Sequence, residues 1–483
     1  MQKIFCHLLD FGSSGINESK STMWEEAFEE IEMENRPQGL RVTLPFLKDR
    51  IDPIAVFLIV TGGAAVVIIA GKFRLLSLWI EFLKSSSFLR MSGYLLIFLG
   101  IIFVSGTLFR TVLWLRYKPD TAESVGAVDW PSVTVIMPAY NEEELIAKAI
   151  DSIFAVKYPQ DKLEVIAVND GSEDMTILYM QRAKRRYGDK LRVISFERNL
   201  GKRRALYSGM KLARGEVIVT VDTDGKIGRS AIRNLVVPLI KDRKVAAVAG
   251  RVAVLNERDN FLTRMLSVRY AVSFDFGRAY QSVFGTVQVC PGALTAYRKD
   301  ILGPLLKGWV NQKFMKTPCL HGEDRALTTF VLRSGHLTKY QSNAVVYSKA
   351  PSQFRQMNRM YVRWTRSYIR ESILFSRFMF TRYRTEHRVL PVLDFFFDNL
   401  LHPFHLFAIG LVSYSFVAYP VFILRHLAFL VILSFFLSLY YLRTNRSPAF
   451  LYGIPYALIT AFFLWWIVPF SALTLKNQSW LTR

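Results

Sequence analysis

Two groups of apolar runs bracket a central stretch in which charged residues return at short intervals. Ile54 to Ala70 carries no charged residue and, with its flanks, is long enough to cross a bilayer, which takes about 20 apolar residues of helix. Tyr94 to Leu115 is a second such run, with Arg110 placed either to snorkel to the interface or to face a polar path. After His387 come Phe404 to Tyr419, Val421 to Leu442 and Phe450 to Leu475, the first two arranged as a hairpin around Pro420. Backbone polar groups in lipid must be satisfied within the segment, so these runs are expected as helices, two before the central stretch and about three after it. Leu75 to Leu83 is expected along the interface. Arg443 and Arg446 precede the last run and favour the cytoplasmic side, which the central stretch then shares.

Composition narrows the partners. The formal net charge is +23, suiting nucleic acid, an anionic membrane surface or an anionic substrate, and the apolar runs favour the last two. Cys6, Cys290 and Cys319 form no Cys-x-x-Cys and imply no disulfide framework, as suits a cytosolic catalytic region. Residues 1–50 begin without a signal-peptide pattern. There Trp24, Phe28 and Ile31 recur at helical spacing among glutamates, an acidic amphipathic helix that either rests on the protein's basic surface or forms a solvated tail.

The central stretch has its own period. Runs at Val133 to Met137, Val165 to Val168, Val193 to Phe196, Val217 to Val221 and Val245 to Ala249 alternate with helical stretches such as Glu142 to Phe154 and Met175 to Tyr187. Such alternation predicts an α/β domain, a mostly parallel sheet with helices on both faces. Ligands then gather where the strands end. The first run ends in Pro138-Ala139-Tyr140-Asn141-Glu142, the second in Asn169-Asp170-Gly171-Ser172, the third leads to Gly201-Lys202, and the fourth to Asp222-Thr223-Asp224. Taken alone, Asp222 and Asp224 are either a solvated turn or a holder of a hard divalent cation. Four polar loops on one sheet edge form a nucleotide-sized site.

With these motifs in order, the chain resembles the inverting family 2 glycosyltransferases. The resemblance covers roughly Val133 to Ser367 together with the flanking spans, and implies the GT-A-type fold. It places Tyr140, Glu142, Asp170 and Lys202 at the nucleotide of a UDP-sugar, and Asp222 and Asp224 at the donor diphosphate with Mg²⁺ or Mn²⁺. Asn169 stands where the motif has Asp. Farther on, Gly322-Glu323-Asp324 is by itself a helix start, and by resemblance carries the general base, Asp324, with Glu323 beside it. Arg363-Trp364 is similar to the Gln-x-x-Arg-Trp signature of processive synthases, with Met360 in place of Gln. Arg363 would then meet phosphate and Trp364 a sugar ring of the acceptor, although the same segment reads as a basic amphipathic helix anchored at a membrane. Cys290 and Gly292 fall at the acceptor by family position, Cys290 also being readable as a small buried thiol.

The resemblance to hyaluronan synthases and nodulation-type chitin oligosaccharide synthases completes the expectation. Residues 1–50 form an N-terminal segment, 51–116 two spans, 117–350 the cytosolic catalytic domain, 351–390 interface helices and 391–483 about three spans, in a plasma (inner) membrane. The expected partners are a UDP-sugar, a growing β-linked polysaccharide and membrane lipids, without nucleic acid. Transfer of one sugar to a lipid acceptor is the competing activity, and a non-catalytic binder of anionic lipid or nucleic acid the competing class. His402, His405 and the cluster Arg182, Lys184, Arg185 and Arg186 are expected to be structural, interfacial or solvated.

Overall fold

The computed structural model describes residues 74–381, 383, 388–400 and 402–477, with residues 65, 68, 69, 71 and 72. The acidic N-terminal helix, most of the Ile54 to Ala70 run, and the side chains of His402 and His405 lie outside the described residues.

The β-branched runs become strands β1 (Val133–Ala139), β2 (Leu163–Asn169), β3 (Leu191–Ser195), β4 (Val217–Val221) and β6 (Val245–Val254). Three strands had no clear period in the sequence: β5 (Gly225–Ile227), β7 (Leu294–Arg298) and β10 (Leu337–Ser348). Together they form one mixed sheet in the order β3-β2-β1-β4-β7-β6-β10-β5. β1 to β4 are mutually parallel, β7 is antiparallel to both β4 and β6, and β10 is parallel to β6. A separate hairpin joins β8 (Lys313–Phe314) and β9 (Thr317–Pro318). The central strands are apolar at almost every position because helices cover both faces; Val135, Ile136, Val165, Ile166, Val219 and Val248 are fully buried.

In chain order the helices are α1 (Leu75–Lys84), α2 (Ser87–Arg116), α3 (Ile146–Phe154), α4 (Thr176–Tyr187), α5 (Lys202–Leu212), α6 (Ala231–Lys241) and α7 (Phe261–Ala271). After a π-helical turn at Val272–Arg278 come α8 (Ala279–Val283), α9 (Lys299–Val310), α10 (Glu323–Arg333), α11 (Phe354–Ser376) and α12 (Val389–Asn399). The last are α13 (His402–Ala418), α14 (Phe422–Asn445), α15 (Gly453–Phe463) and α16 (Ile467–Leu473).

Among the described residues, α2 and α14 are the helices long and apolar enough to cross a membrane. Outward-facing Ile97, Phe98, Ile101 and Leu108 on α2 are more than half exposed, as a lipid-facing surface requires. The single helix expected over Phe450 to Leu475 is instead a pair, Pro448–Phe463 and Ile467–Leu473, bent by 50°. Pro469 contributes to the break, since it has no N–H for the Trp465 carbonyl one turn earlier. Arg110 faces a polar partner set rather than the interface: its guanidinium meets Asp394 Oδ1 at 2.9 Å and Asp398 Oδ1 at 2.5 Å, both on α12. α1 buries Trp79 and Phe82 against Phe422 of α14 while Leu76, Leu78 and Ile80 stay exposed.

Candidate active site

Because β1 to β4 are parallel neighbours, their carboxyl ends stand along one edge of the sheet. The loops there brace one another through side chains bonded to backbone. Asn141, at φ 54°, donates its N–H to Ser172 Oγ at 3.0 Å, and Asn141 Oδ1 accepts from the Glu173 N–H at 2.9 Å. Asn169 is buried and structural: its Oδ1 accepts from the Ser172 N–H, and its amide donates to Ser195 Oγ. Asp170 is buried too, and accepts the Leu200 and Gly201 N–H groups, one per carboxylate oxygen, at 2.8 and 3.0 Å. Burial raises its pKa, and these two hydrogen bonds partly oppose the rise. Gly171 sits at φ 69°, where a Cβ would come within 2.3 Å of the Arg198 carbonyl carbon. The glycine therefore lets the second and third loops touch.

The sequence also brings distant segments to this edge. β7 runs antiparallel to β4, so the start of β7 lies beside the end of β4, with Leu294 opposite Val221. The preceding loop thus carries Gly292 against Asp222, where a Cβ would meet Lys202 Nζ at 3.2 Å and Asp222 Oδ1 at 3.7 Å. Lys202, the first residue of α5, joins the two acidic motifs: Nζ is 2.6 Å from Asp222 Oδ1 and 3.3 Å from Glu323 Oε1. Burial pulls the lysine pKa down, but these two carboxylates outweigh it and the net shift is upward. In Glu323 burial acts upward, yet Lys202, the backbone and the Arg363 and Arg203 charges hold the carboxyl down at about 2. Its neighbour Asp324 is pushed up by burial and by the Glu323 charge. Adjacent carboxylates are thus driven apart, one fixed as an anion and the other made the better proton acceptor.

Asp224 is the second acid of the strand-end pair. Its Oδ2 accepts from Ser348 Oγ, at the end of β10, at 3.3 Å, and its Oδ1 is buried without a hydrogen-bond partner. Burial and then the Asp222 charge raise its pKa to about 6. A buried carboxylate oxygen lacking a donor, next to a second carboxylate, suits a hard cation completed by phosphate oxygens and water. Among the described residues no third His, Cys, Asp or Glu joins them to form a closed metal cage.

These groups surround a cavity of about 1220 Å³ whose wall includes Tyr140, Glu142, Asp170, Lys202, Asp222, Asp224 and Arg363. Glu323 reaches it through Lys202. Asp324, the second residue of α10, follows Glu323 directly, its Oδ1 accepting the Arg325 N–H at 2.7 Å. Trp364 lies just beyond Arg363, 42% exposed, with its ring 6.0 Å from that of Tyr270. Of the two readings of Cys290, its burial matches the small buried thiol. Its loop turns Gly292 to the site and the thiol into the core, where Cys290 is fully buried and burial pushes its pKa up to about 12. Met360 is part of the cavity wall, its Sδ 3.7 Å from the Tyr270 hydroxyl. Tyr270 and Ser348 were not anticipated: one is an unmarked residue in a helix, the other a serine ending an irregular strand.

The glycosyl transferase family 2 model matches residues 134–306. An N-acetylglucosaminyltransferase of Mesorhizobium japonicum is 30% identical over 291 residues, 60% of this chain and 68% of that protein. A hyaluronan synthase of Streptococcus pyogenes is 29% identical over 392 residues, 80% of this chain and 90% of that one. Among solved structures, a mannosyltransferase from Pyrobaculum calidifontis, in complex with GDP-Man and Mn²⁺, aligns with TM-score 0.49 and 21% identity over 76% of this chain and 99% of that one. With its strand-end motifs, mixed eight-stranded sheet and flanking apolar helices, the chain belongs to glycosyl transferase family 2.

Proposed function

We propose that the enzyme is a membrane-embedded polysaccharide synthase that transfers sugar from a UDP-sugar to a growing β-linked glycan with inversion, the spans guiding the polymer across the membrane. The observation that carries this reading is Lys202 bridging Asp222 and Glu323, which unites the strand-end acids and the Glu323-Asp324 turn in one site. The names of the two curated relatives support a hyaluronan- or chitin-like product.

In this reading Tyr140, Glu142 and Asp170 line the nucleoside end of the cavity, while Lys202 and Arg363 face the diphosphate. Asp222 and Asp224 would hold Mg²⁺ or Mn²⁺, which supplies positive charge against the departing diphosphate. Asp324 takes the proton of the acceptor hydroxyl as that oxygen bonds to the anomeric carbon. The anomeric carbon–diphosphate oxygen bond breaks, and UDP leaves with the electron pair. Trp364 and Gly292 belong to the acceptor side. The catalytic domain is assigned to the cytosol, where nucleotide sugars and the basic loops reside.

A panel of UDP-sugars, beginning with UDP-N-acetylglucosamine and given singly and in pairs, tests the reading by UDP release and product mass. Polymer from one donor or an alternating pair is expected. A product of one sugar on a lipid would replace the polymer reading with lipid glycosylation, and absence of any UDP release would remove both.

A further inference from the structure

A buried polar network that the transfer chemistry does not use directly runs from the cavity wall, where Arg203, Gln312 and His321 stand, back to Arg370 and Glu371. Glu371 on α11 is 2% exposed, and its Oε1 accepts from Arg370 Nε at 2.9 Å and Gln312 Nε2 at 3.0 Å. Arg370 also donates through Nη2 to the His321 carbonyl at 2.6 Å. Gln312 Oε1 accepts from Arg203 Nη1 at 3.0 Å, and the same nitrogen donates to the Trp309 carbonyl at 2.8 Å. Trp309 in turn donates its indole N–H to the Glu323 carbonyl at 2.9 Å.

The path is a closed ring with Gly322 in the gap. It grips the carbonyl before Gly322, that of His321, and the carbonyl after it, that of Glu323. Gly322 itself, at φ 71°, has no side chain to fix the turn, and a Cβ there would sit 2.0 Å from Ser367 Oγ. The turn ahead of Asp324 is therefore shaped from outside. Arg203, the other anchor, is the neighbour of Lys202 on α5, so one network ties the donor-side lysine and the base-side turn to the same carboxylate. Burying charges in this way is poor economy for stability alone, since well-packed apolar groups of similar volume do as well or better. Geometry is what it supplies.

We propose that Glu371, acting through Arg370 and Gln312, is a positioning residue that sets the Asp324 turn relative to Lys202 and Asp222. The proposal rests on Asp324 being the base. A displacement of about 1 Å at a reacting group is enough to cost about a hundredfold in rate.

The test uses the full chain in detergent micelles or nanodiscs with UDP-N-acetylglucosamine, or whichever UDP-sugar the panel selects, and reads kcat, donor KM, UDP affinity and thermal unfolding. Glu371→Gln and Arg370→Lys are expected to lower kcat about 10- to 100-fold with donor KM and UDP affinity within about twofold. The paired change Arg370→Met with Glu371→Met removes the charges together, so it is expected to fold and bind UDP while showing the same kcat loss. Wild-type kcat in that double variant, or losses of kcat and UDP affinity that merely follow unfolding, would overturn the proposal. Asp324→Asn separates the two ideas: its full activity would remove the base assignment, whereas an inactive Asp324→Asn beside a fully active double variant removes only the strut.

Discussion

At the residue scale, the base turn depends on a backbone conformation and on one carboxylate's environment. Gly322→Ala would place a Cβ in the left-handed region, at about 1–2 kcal/mol, and against Ser367 Oγ. Lower melting temperature and lower kcat are expected together. Adding Ser367→Gly should recover the part due to the clash and leave the backbone part, a separation that a double-mutant cycle measures. The Asp324 shift fixes the sign of a pH dependence. Protonated Asp324 cannot accept the acceptor proton, and burial and then Glu323 raise its pKa. Turnover should thus rise with pH through a midpoint above the ordinary aspartate value of about 3.9. Glu323→Gln removes one cause of the rise, so the midpoint in a pH–kcat profile should move down. A profile flat across the acid range would count against Asp324 as base. The acids themselves were legible in the sequence because each ends a β-branched run or opens a helix. Tyr270 was not, since only the fold brings its hydroxyl to Met360 and its ring to Trp364.

At the scale of elements, β1, β2, β4 and β6 were readable because burial on both faces makes them nearly continuous apolar runs, and the partly buried edge strand β3 was readable from its short run at Val193 and Ile194. β10 was not. It carries Gln341 and Asn343, and its pairing with β6 shifts register between Gln341 and Val345. Tertiary partners satisfy Gln341: its amide donates to the Asp120 and Asn234 carbonyls at 3.0 and 2.9 Å, and its oxygen accepts the Asp120 N–H. No local pattern announces such partners. β7 was missed because its direction, which delivers Gly292 to Asp222, is a property of the sheet. α11 is amphipathic, and its apolar face packs against Leu262, Leu266, Leu464 and Ile467 of this chain. Met357, Met360 and Val362 are buried on that face, while Arg363 lines the cavity and Trp364 remains half exposed beside Tyr270. Trp364→Ala therefore removes a stacking surface without disturbing the buried face. If Trp364 holds the glycan, products should shorten, by gel or mass analysis, while initial UDP release changes by less than about tenfold. Unchanged product length would dissociate Trp364 from the acceptor.

Across the whole molecule, the catalytic sheet is joined to the apolar helices by polar links that no sequence window contains. The π-helical turn is one joint: Asp275 forms an ion pair with Arg251 of β6 at 2.8 Å and accepts from the Tyr340 hydroxyl of β10 at 2.8 Å, while the Trp114 indole of α2 donates to its carbonyl at 2.6 Å. Arg251 continues to Asn445 of α14 at 2.5 Å. Arg110 is the other joint, and its charge was visible in the sequence as an anomaly in an apolar run. Its partners were not, because Asp394 lies 284 residues farther along the chain. Gly106 lets α12 approach, since a Cβ there would come within 2.9 Å of the Phe397 ring. Asp394 is fully buried, and its Oδ2 accepts from Gln281 of α8 at 3.1 Å, so the same carboxylate connects α2, α8 and α12. Arg110→Leu would leave that carboxylate buried without its cation, a loss of about 3–5 kcal/mol. Thermal unfolding in detergent should register it as a large fall in melting temperature. The triple change Arg110→Leu, Asp394→Leu and Asp398→Asn removes the orphaned charges, and most of the loss should return. If Arg110→Leu alone melts like the unaltered protein, the ion cluster does not hold α12 to α2.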